Sequence, residues 1–340
     1  MQNTKNAYYK HYIAIDWAKT ETAIASLAGS SCDAKLKLIP SDVKLIKNYL
    51  KSFRGSKLLT IEETTSSHWL YVELKEYADK ILVCDPYRNG LLKEGSKTDK
   101  IDARKLCFLL RSGMLKEVYH SLDSSYELRK LLSGYEDLIK ASVRLKNQRS
   151  ALKRSQGDYT KVKNKNIKGS NLSEIETFII SRQNLAIDYI GHLRKEYEDK
   201  FQELSSKIGI IKELMKISGI GLKIAVLIYA RVIDASRFEN KYKYWSYCGL
   251  VRHIRQSGGV RYGNKRARSS HDLKRAYKIA AFAAVEGKND IREYYDVLLN
   301  KGYGLCEAKN QISRYIAKVS YAVMKYKTPY RAYQWRKSIN

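Results

Sequence analysis

The sequence contains no apolar run of about 18 residues and no secretory hydrophobic segment after Met1, so neither a membrane span nor export is expected. Its five cysteines (Cys32, Cys84, Cys107, Cys248 and Cys306) are scattered, odd in number and free of any Cys-x-x-Cys pair. That pattern indicates neither a zinc knuckle nor a disulfide framework and fits a reducing cytoplasm. Acidic residues are also scarce: 35 Asp and Glu stand against 64 Lys and Arg, a formal net charge of +29. This surplus exceeds what solubility needs and predicts a polyanionic partner, most simply nucleic acid, bound in a salt-sensitive way. At 340 residues the chain has room for two or three domains, each with its own core.

Because acids are few, the places where they gather carry information. Lys97-Thr98-Asp99-Lys100-Ile101-Asp102-Ala103 sets two carboxylates three residues apart at the start of a helical run through Leu110. Residues i and i+3 share a helix face, so Asp99 and Asp102 can point at one object. A divalent cation would suit them, and two acidic pairs could hold two Mg²⁺ ions for phosphodiester chemistry. The plainer reading is an ordinary helix start, where Asp caps backbone N–H groups and suits the dipole.

The N-terminal part reads as a mixed α/β sheet. After a polar lead-in over residues 1–10, three strands in close succession (11–16, 22–27 and 32–38, ended by Pro40) suggest an antiparallel meander. A helix over 42–53 follows, with Ser41 placed to cap it, then a strand over 57–61, a helix over 69–78 and a strand over 80–84. Strands alternating with helices after a meander describe such a sheet. Asp16 ends the first strand and Glu62-Glu63 follow the fourth, so carboxylates distant in sequence fall at element ends. Each alone is commonly a turn former.

From Leu128 the pattern changes. Leu131, Leu138, Leu145 and Leu152 recur every seven residues, a coiled-coil signal equally compatible with one long helix packed on its own domain. Residues 156–170 read as the loop of a helical hairpin, whose second helix carries apolar residues from Ile187 to Ile208 on one face. Such a hairpin could bridge protomers. Leu214-Met215-Lys216-Ile217-Ser218-Gly219-Ile220-Gly221-Leu222-Lys223 resembles a helix-hairpin-helix element, in which Gly219, Gly221 and Lys223 would bring backbone N–H groups and a cation to a phosphate. Further on, Ser257 lies between Gln256 and two glycines. A serine so placed is more often a turn residue, but the following glycines would also let a bulky phosphodiester reach its hydroxyl. Arg252, Arg255 and Arg261 could neutralise charge on phosphorus, and Lys265, Arg266 and Arg268 extend the basic surface, with His271, Lys274 and Arg275 after them. Tyr262 and Tyr277 could stack on bases, though Tyr277 suits a core equally well. The stretch 307–326 reads as a core helix, and Pro329 with the polar remainder as a frayed end.

Taken in chain order, these motifs resemble one family. Asp16-x-Ala18-Lys19 after a strand, Glu63-Thr64-Thr65-Ser66-Ser67-His68-Trp69, and Thr98-Asp99-x-x-Asp102-Ala103 look like the Asp-Glu-Asp-Asp signature of insertion-sequence-110 family transposases, related to the Piv DNA invertase. Matching Trp69 to the family's tryptophan selects Glu63 over Glu62; Ser66 and His68 depart from the family's Gly and Tyr. The family's Ile-Pro-Gly-Ile-Gly is matched with Ser218 in place of proline. Its Gly-Leu-x-Pro-x-x-x-x-Ser-Gly is matched by Gly249 to Gly258, with Arg252 at the proline.

The resemblance implies a RuvC-like, RNase-H-like α/β domain over 1–120, a helical coiled-coil hairpin over 121–208, and a mainly α transposase domain with a helix-hairpin-helix element over 209–340. It implies a DNA transposase in which Asp16, Glu63, Asp99 and Asp102 bind Mg²⁺, two ions being expected, and Ser257 is the nucleophile. It further implies donor and target DNA, a structured guide (bridge) RNA from the protein's own element, and a dimer or tetramer in which one protomer's acids work with another's serine. A prokaryotic, cytoplasmic protein at the nucleoid, with no membrane partner, is expected. A guide would account for the lack of a recognisable sequence-reading helix-turn-helix or zinc finger. Two alternatives remain at this point: a RuvC-like junction nuclease that uses water, and a non-catalytic nucleic-acid-binding protein whose acids only cap helices.

Overall fold

The computed structural model describes residues 9–87, 98–120, 125–155, 172–265 and 268–338. The chain divides into two compact units, Met1–Leu122 and Asp123–Asn340. The expected hairpin loop over 156–170 lies outside the described residues, as does most of the lead-in.

The first unit is a six-stranded sheet in the order β3-β2-β1-β4-β5-β6. Strands β1 (His11–Asp16), β2 (Glu21–Ala28) and β3 (Lys35–Pro40) form the antiparallel meander that the sequence predicts. β4 (Lys57–Glu62) and β5 (Lys80–Cys84) add in parallel to β1, and a two-residue strand that the sequence does not announce, β6 (Glu117–Val118), closes the edge. Alternation along β1 decides what each face meets. Tyr12 and Ala14 pack with Ala103, Leu106 and Cys107 of helix α3 (Asp99–Arg111). Ile13 and Ile15 point the other way, to a core shared with Ile46 and Leu50 of α1 (Val43–Lys51) and Leu70 and Leu74 of α2 (Ser67–Leu74). Both isoleucines are wholly buried, which stabilises the sheet by about 1.5–3 kcal/mol each. Ser41 does not cap α1. Asp42 does, accepting from the Lys44 N–H at 2.7 Å, while the Ser41 hydroxyl donates to the Ala18 carbonyl.

Among its described residues the second unit is helical apart from one β-hairpin. α4 (Ser125–Ser155) and α5 (Glu174–Ser206) pair as the expected helical hairpin, and a capping box at Ser173 starts α5. The heptad leucines are only half-buried; at the base of the hairpin the buried residues are Leu128, Leu132 and Tyr135 on α4 and Phe201 on α5. These join the core of α6 (Gly209–Met215), α7 (Leu222–Val232), α8 (Lys241–Tyr247), α9 (His271–Glu286), α10 (Asp290–Asn300) and α11 (Leu305–Tyr326). Tyr277 is wholly buried, its hydroxyl bonded to those of Tyr244 and Ser320, so it belongs to the core and not to a base-stacking surface. The end of the chain is tied down rather than frayed. Trp335 is buried and stacks on Tyr294 with centroids 5.3 Å apart, and the Tyr330 hydroxyl donates to Asp290.

Candidate active site

Three of the four expected acids gather at the carboxyl ends of β1 and β4, over the N-terminus of α3. Asp16 follows Ala14 on the α3 face of the sheet. Asp99 and Asp102 occupy the first turn of α3. The cap of that helix is Thr98, whose hydroxyl accepts from the Ile101 N–H at 3.3 Å, so neither aspartate is needed to cap it. Their exposure differs: Asp99 is open to solvent and Asp102 half-buried.

The glutamate of this group is Glu62, not the expected Glu63. β1 and β4 run parallel with Ile15 beside Ile61, so the next step in register sets Asp16 beside Glu62. Strand parity agrees: Leu59 and Ile61 face the α1–α2 core, which turns Glu62 to the α3 face and Glu63 away from it. Glu63 is exposed, and its N–H continues the ladder to the Cys84 carbonyl at 2.9 Å. Electrostatics agree as well. Burial, followed by the charges of Asp99, Glu62 and Asp102, pushes the Asp16 carboxyl up to about 6. The period-2 alternation of β4 carries this information, whereas the match at Trp69 points one residue further on.

The donor set fits a hard divalent cation. Asp16 feels the charges of Asp99, Glu62 and Asp102, with no Lys or Arg among the causes of its shift, and Asp102 Oδ1 is buried without a hydrogen-bond partner. A buried carboxylate oxygen left unpaired is costly unless a cation meets it. The side chains approach at electrostatic rather than ligating range, since among the described residues no three acidic, histidine or cysteine side chains are clustered closely enough to hold an ion.

Ser257 lies in the second unit at the tip of a β-hairpin that the sequence reading missed. β7 (His253–Ser257) and β8 (Val260–Lys265) are antiparallel, with Ser257 opposite Val260. Between them Gly258 and Gly259 both have positive φ (55° and 81°), the two-residue turn whose twist suits a hairpin. The signal was present, since Gly-Gly flanked by extended residues marks such a turn. The polar composition of both strands hid it. Nothing lies within 4 Å of where a Cβ would stand on either glycine, so the Ser257 hydroxyl is open to a large substrate. Arg252, Arg255, Arg261 and Lys265 are all exposed along the same hairpin, and Arg261 donates to Asn264 at 2.9 Å. Arg268 is exposed ahead of α9; Arg266 lies outside the described residues.

The Gly-x-Gly turn serves packing more than ligand approach. A Cβ on Gly219 (φ +86°) would sit 2.1 Å from the Ala280 carbonyl oxygen, so this glycine lets the turn press against the backbone of α9. Gly221 caps α7 with open space beside it. Lys223 is paired with Glu198 and lies over the Tyr135 ring.

A transposase family model of the Asp-Glu-Asp-Asp, IS110 type matches residues 13–154, and a model described as Transposase IS116/IS110/IS902 family matches residues 211–296. The first spans the four carboxylates and the second spans Ser257. No curated protein matches the chain.

Proposed function

The chain belongs to the IS110 family of transposases, and from that premise we propose that it cuts and rejoins DNA with a carboxylate-held metal site and the Ser257 hydroxyl as nucleophile. The observation that carries this reading is the gathering of Asp16, Glu62, Asp99 and Asp102 on one face of the sheet, with an unpaired oxygen on Asp102. These four residues would hold two Mg²⁺ ions. When bound, the metal supplies Lewis-acid polarisation of the scissile phosphate and stabilisation of the leaving oxygen.

The chain's own residues do the rest. Ser257 Oγ attacks phosphorus, forming a P–O bond to the protein as the P–O bond to the departing deoxyribose oxygen breaks. The serine proton passes to water and the leaving oxygen takes one up. The resulting phosphodiester conserves the energy of the broken bond for rejoining. Arg252, Arg255 and Arg261 bring positive charge to the phosphate on an exposed segment, and Gly258 and Gly259 remove side chains that would block the approach.

A net charge of +29 supports a structured guide RNA as well as donor and target DNA. The acids and the serine lie in separate compact units, which is compatible with a homo-oligomer in which one protomer's acids serve another's serine. No helix among the described residues is long and apolar enough to cross a membrane.

The test incubates purified protein and its RNA with end-labelled DNA carrying the element's junction, with Mg²⁺ or EDTA, and resolves the products on a denaturing protein gel. The reading predicts a labelled protein band that needs Mg²⁺ and is lost in both Ser257→Ala and Asp99→Ala. Nicked DNA without a protein band, undiminished in Ser257→Ala, would mean that water is the nucleophile.

A further inference from the structure

Of the basic residues that the family motifs single out, Arg255, Arg261 and Lys265 lie on the β7–β8 hairpin, whereas Arg252 lines a cavity beside it. Where the hairpin joins the helical body, a cavity of about 480 Å³ opens between α9 and α11. Arg252, His271, Lys274, Lys278 and Arg314 line it, together with polar Asn310. No carboxylate is among its lining residues. Two spacings build it. Lys274 and Lys278 stand four apart on α9, and Asn310 and Arg314 four apart on α11, so each pair shares one helix face. The Lys278 ammonium donates to the Asn310 side-chain oxygen at 3.1 Å, a neutral partner that leaves its charge uncompensated. Arg314 Nε is buried without a hydrogen-bond partner, and its backbone is fixed by the Trp245 indole N–H donating to its carbonyl at 3.0 Å.

The groove continues past the cavity. Phe282, four residues beyond Lys278, is 56% exposed, and the Lys309 ammonium sits 4.9 Å from its ring centroid. In the other direction along α11, Lys318 has its pKa lowered by burial and by the charge of Lys241. Positive charge thus lines the cavity between α9 and α11 with no carboxylate among the lining residues, a setting that suits a polyanion.

We propose that this cavity is a phosphate-binding subsite for the DNA strand on which Ser257 acts, taking one or two backbone phosphates a few nucleotides from the attacked one. The identity of that strand rests on the reading of Ser257 as the nucleophile; the binding of DNA phosphate does not. The span is right. Arg252 immediately precedes β7, and the five residues from it to Ser257 extend about 17 Å at ~3.3 Å each, the rise of about five base steps of a duplex at ~3.4 Å. The subsite fixes the register of the strand by charge and shape and reads no bases. Lys278 and Arg314 act by positioning the strand.

The test compares full-length protein with Lys278→Gln/Arg314→Gln, and with a control in which exposed Lys288 and Lys301, outside the groove, become Gln. Binding of a fluorescein-labelled 30-base-pair DNA duplex (~30 being long enough to cover both the groove and the hairpin) and of a single-stranded RNA of equal length is titrated at several salt concentrations. The cavity variant is expected to lose about 2 from the slope of log affinity against log salt on DNA, about one per phosphate contact, with DNA affinity down at least about tenfold at low salt. The control pair should keep the wild-type slope, and Lys278→Arg should keep it too. Should the double variant unfold, Lys278→Gln alone must lower the slope by about 1. An unchanged DNA slope, or a loss confined to RNA, overturns the proposal. Ser257→Ala must bind with the wild-type slope. A missing covalent adduct in wild type alongside the slope loss would therefore reject the serine mechanism and leave the phosphate subsite standing.

Discussion

Removing the charge of Asp16 should stabilise the metal-free protein while destroying its activity. In the folded chain this carboxyl is pushed from 3.8 up to about 6, first by burial and then by Asp99, Glu62 and Asp102. A raised folded pKa means that the native state binds the proton more tightly than the unfolded chain. Relative to the neutral form, ionised Asp16 therefore costs stability above pH 6, and that cost fades as pH falls toward 4. The difference of about 2 units corresponds to roughly 3 kcal/mol at full strength. Asp16 is only partly buried, so solvent screening reduces this to about 1–2 kcal/mol. Asp16→Asn should thus raise the midpoint of the first unit by about 4–8 °C in EDTA at pH 7.5, and by little at pH 4. Trp17 and Trp69, in edge-to-face contact at 5.4 Å within that unit, provide the fluorescence signal. Mg²⁺ should raise the wild-type midpoint and move the variant's much less, since it needs the charge that the variant lacks. A variant no more stable than wild type at pH 7.5, or a gain that persists undiminished at pH 4, would refute the destabilising effect of burial and neighbouring acids on Asp16.

Other outcomes follow from the same geometry. Glu62→Gln should abolish Mg²⁺-dependent cleavage, a loss of about 10³-fold or more, whereas Glu63→Gln should stay within a few-fold of wild type; strand cleavage under matched conditions decides between them. Gly219→Ala should destabilise the second unit by about 2–4 kcal/mol, because a Cβ would press on the Ala280 carbonyl at an unfavourable φ, while Gly221→Ala should cost under about 1 kcal/mol; urea unfolding separates the two. Gly259→Val should cut cleavage at least about tenfold without moving the midpoint of the helical body, since the strain falls on an exposed two-residue turn. Trp335→Ala should destabilise the second unit by about 3 kcal/mol, a loss that a frayed tail would not produce.

Much of the first unit was legible because its strands alternate cleanly and its helices carry apolar stripes. The meander, the strands alternating with helices and the pair Asp99–Asp102 could all be read from period and spacing. Which of Glu62 and Glu63 lies beside Asp16 is hard to read for a local reason: two adjacent glutamates differ only in which face of β4 they occupy, and that is fixed by the burial of Leu59 and Ile61 rather than by the motif around Trp69. The second unit hid more. β7 and β8 have neither a buried face nor an apolar alternation, so the Gly-Gly turn was their only mark. The role of Gly219 depends on a carbonyl of α9 about 60 residues later, which no local pattern contains. Arg252, His271 and Lys274 were legible as a basic surface, but Lys278 and Arg314 lie on separate helices and come to one cavity only in the folded chain, so no local pattern joins them.

The most direct test of the central claim is to locate the DNA on the protein. Wild-type protein, its RNA and junction DNA would be quenched in Mg²⁺, treated with nuclease and trypsin, and analysed by mass spectrometry. Cleavage after Arg255 and Arg261 releases the turn as the peptide from Gln256 to Arg261. The account predicts a nucleotide attached to Ser257 in that peptide, absent in EDTA and absent in Glu62→Gln. A nucleotide on any other peptide, or cleaved DNA with every peptide unmodified, would contradict it.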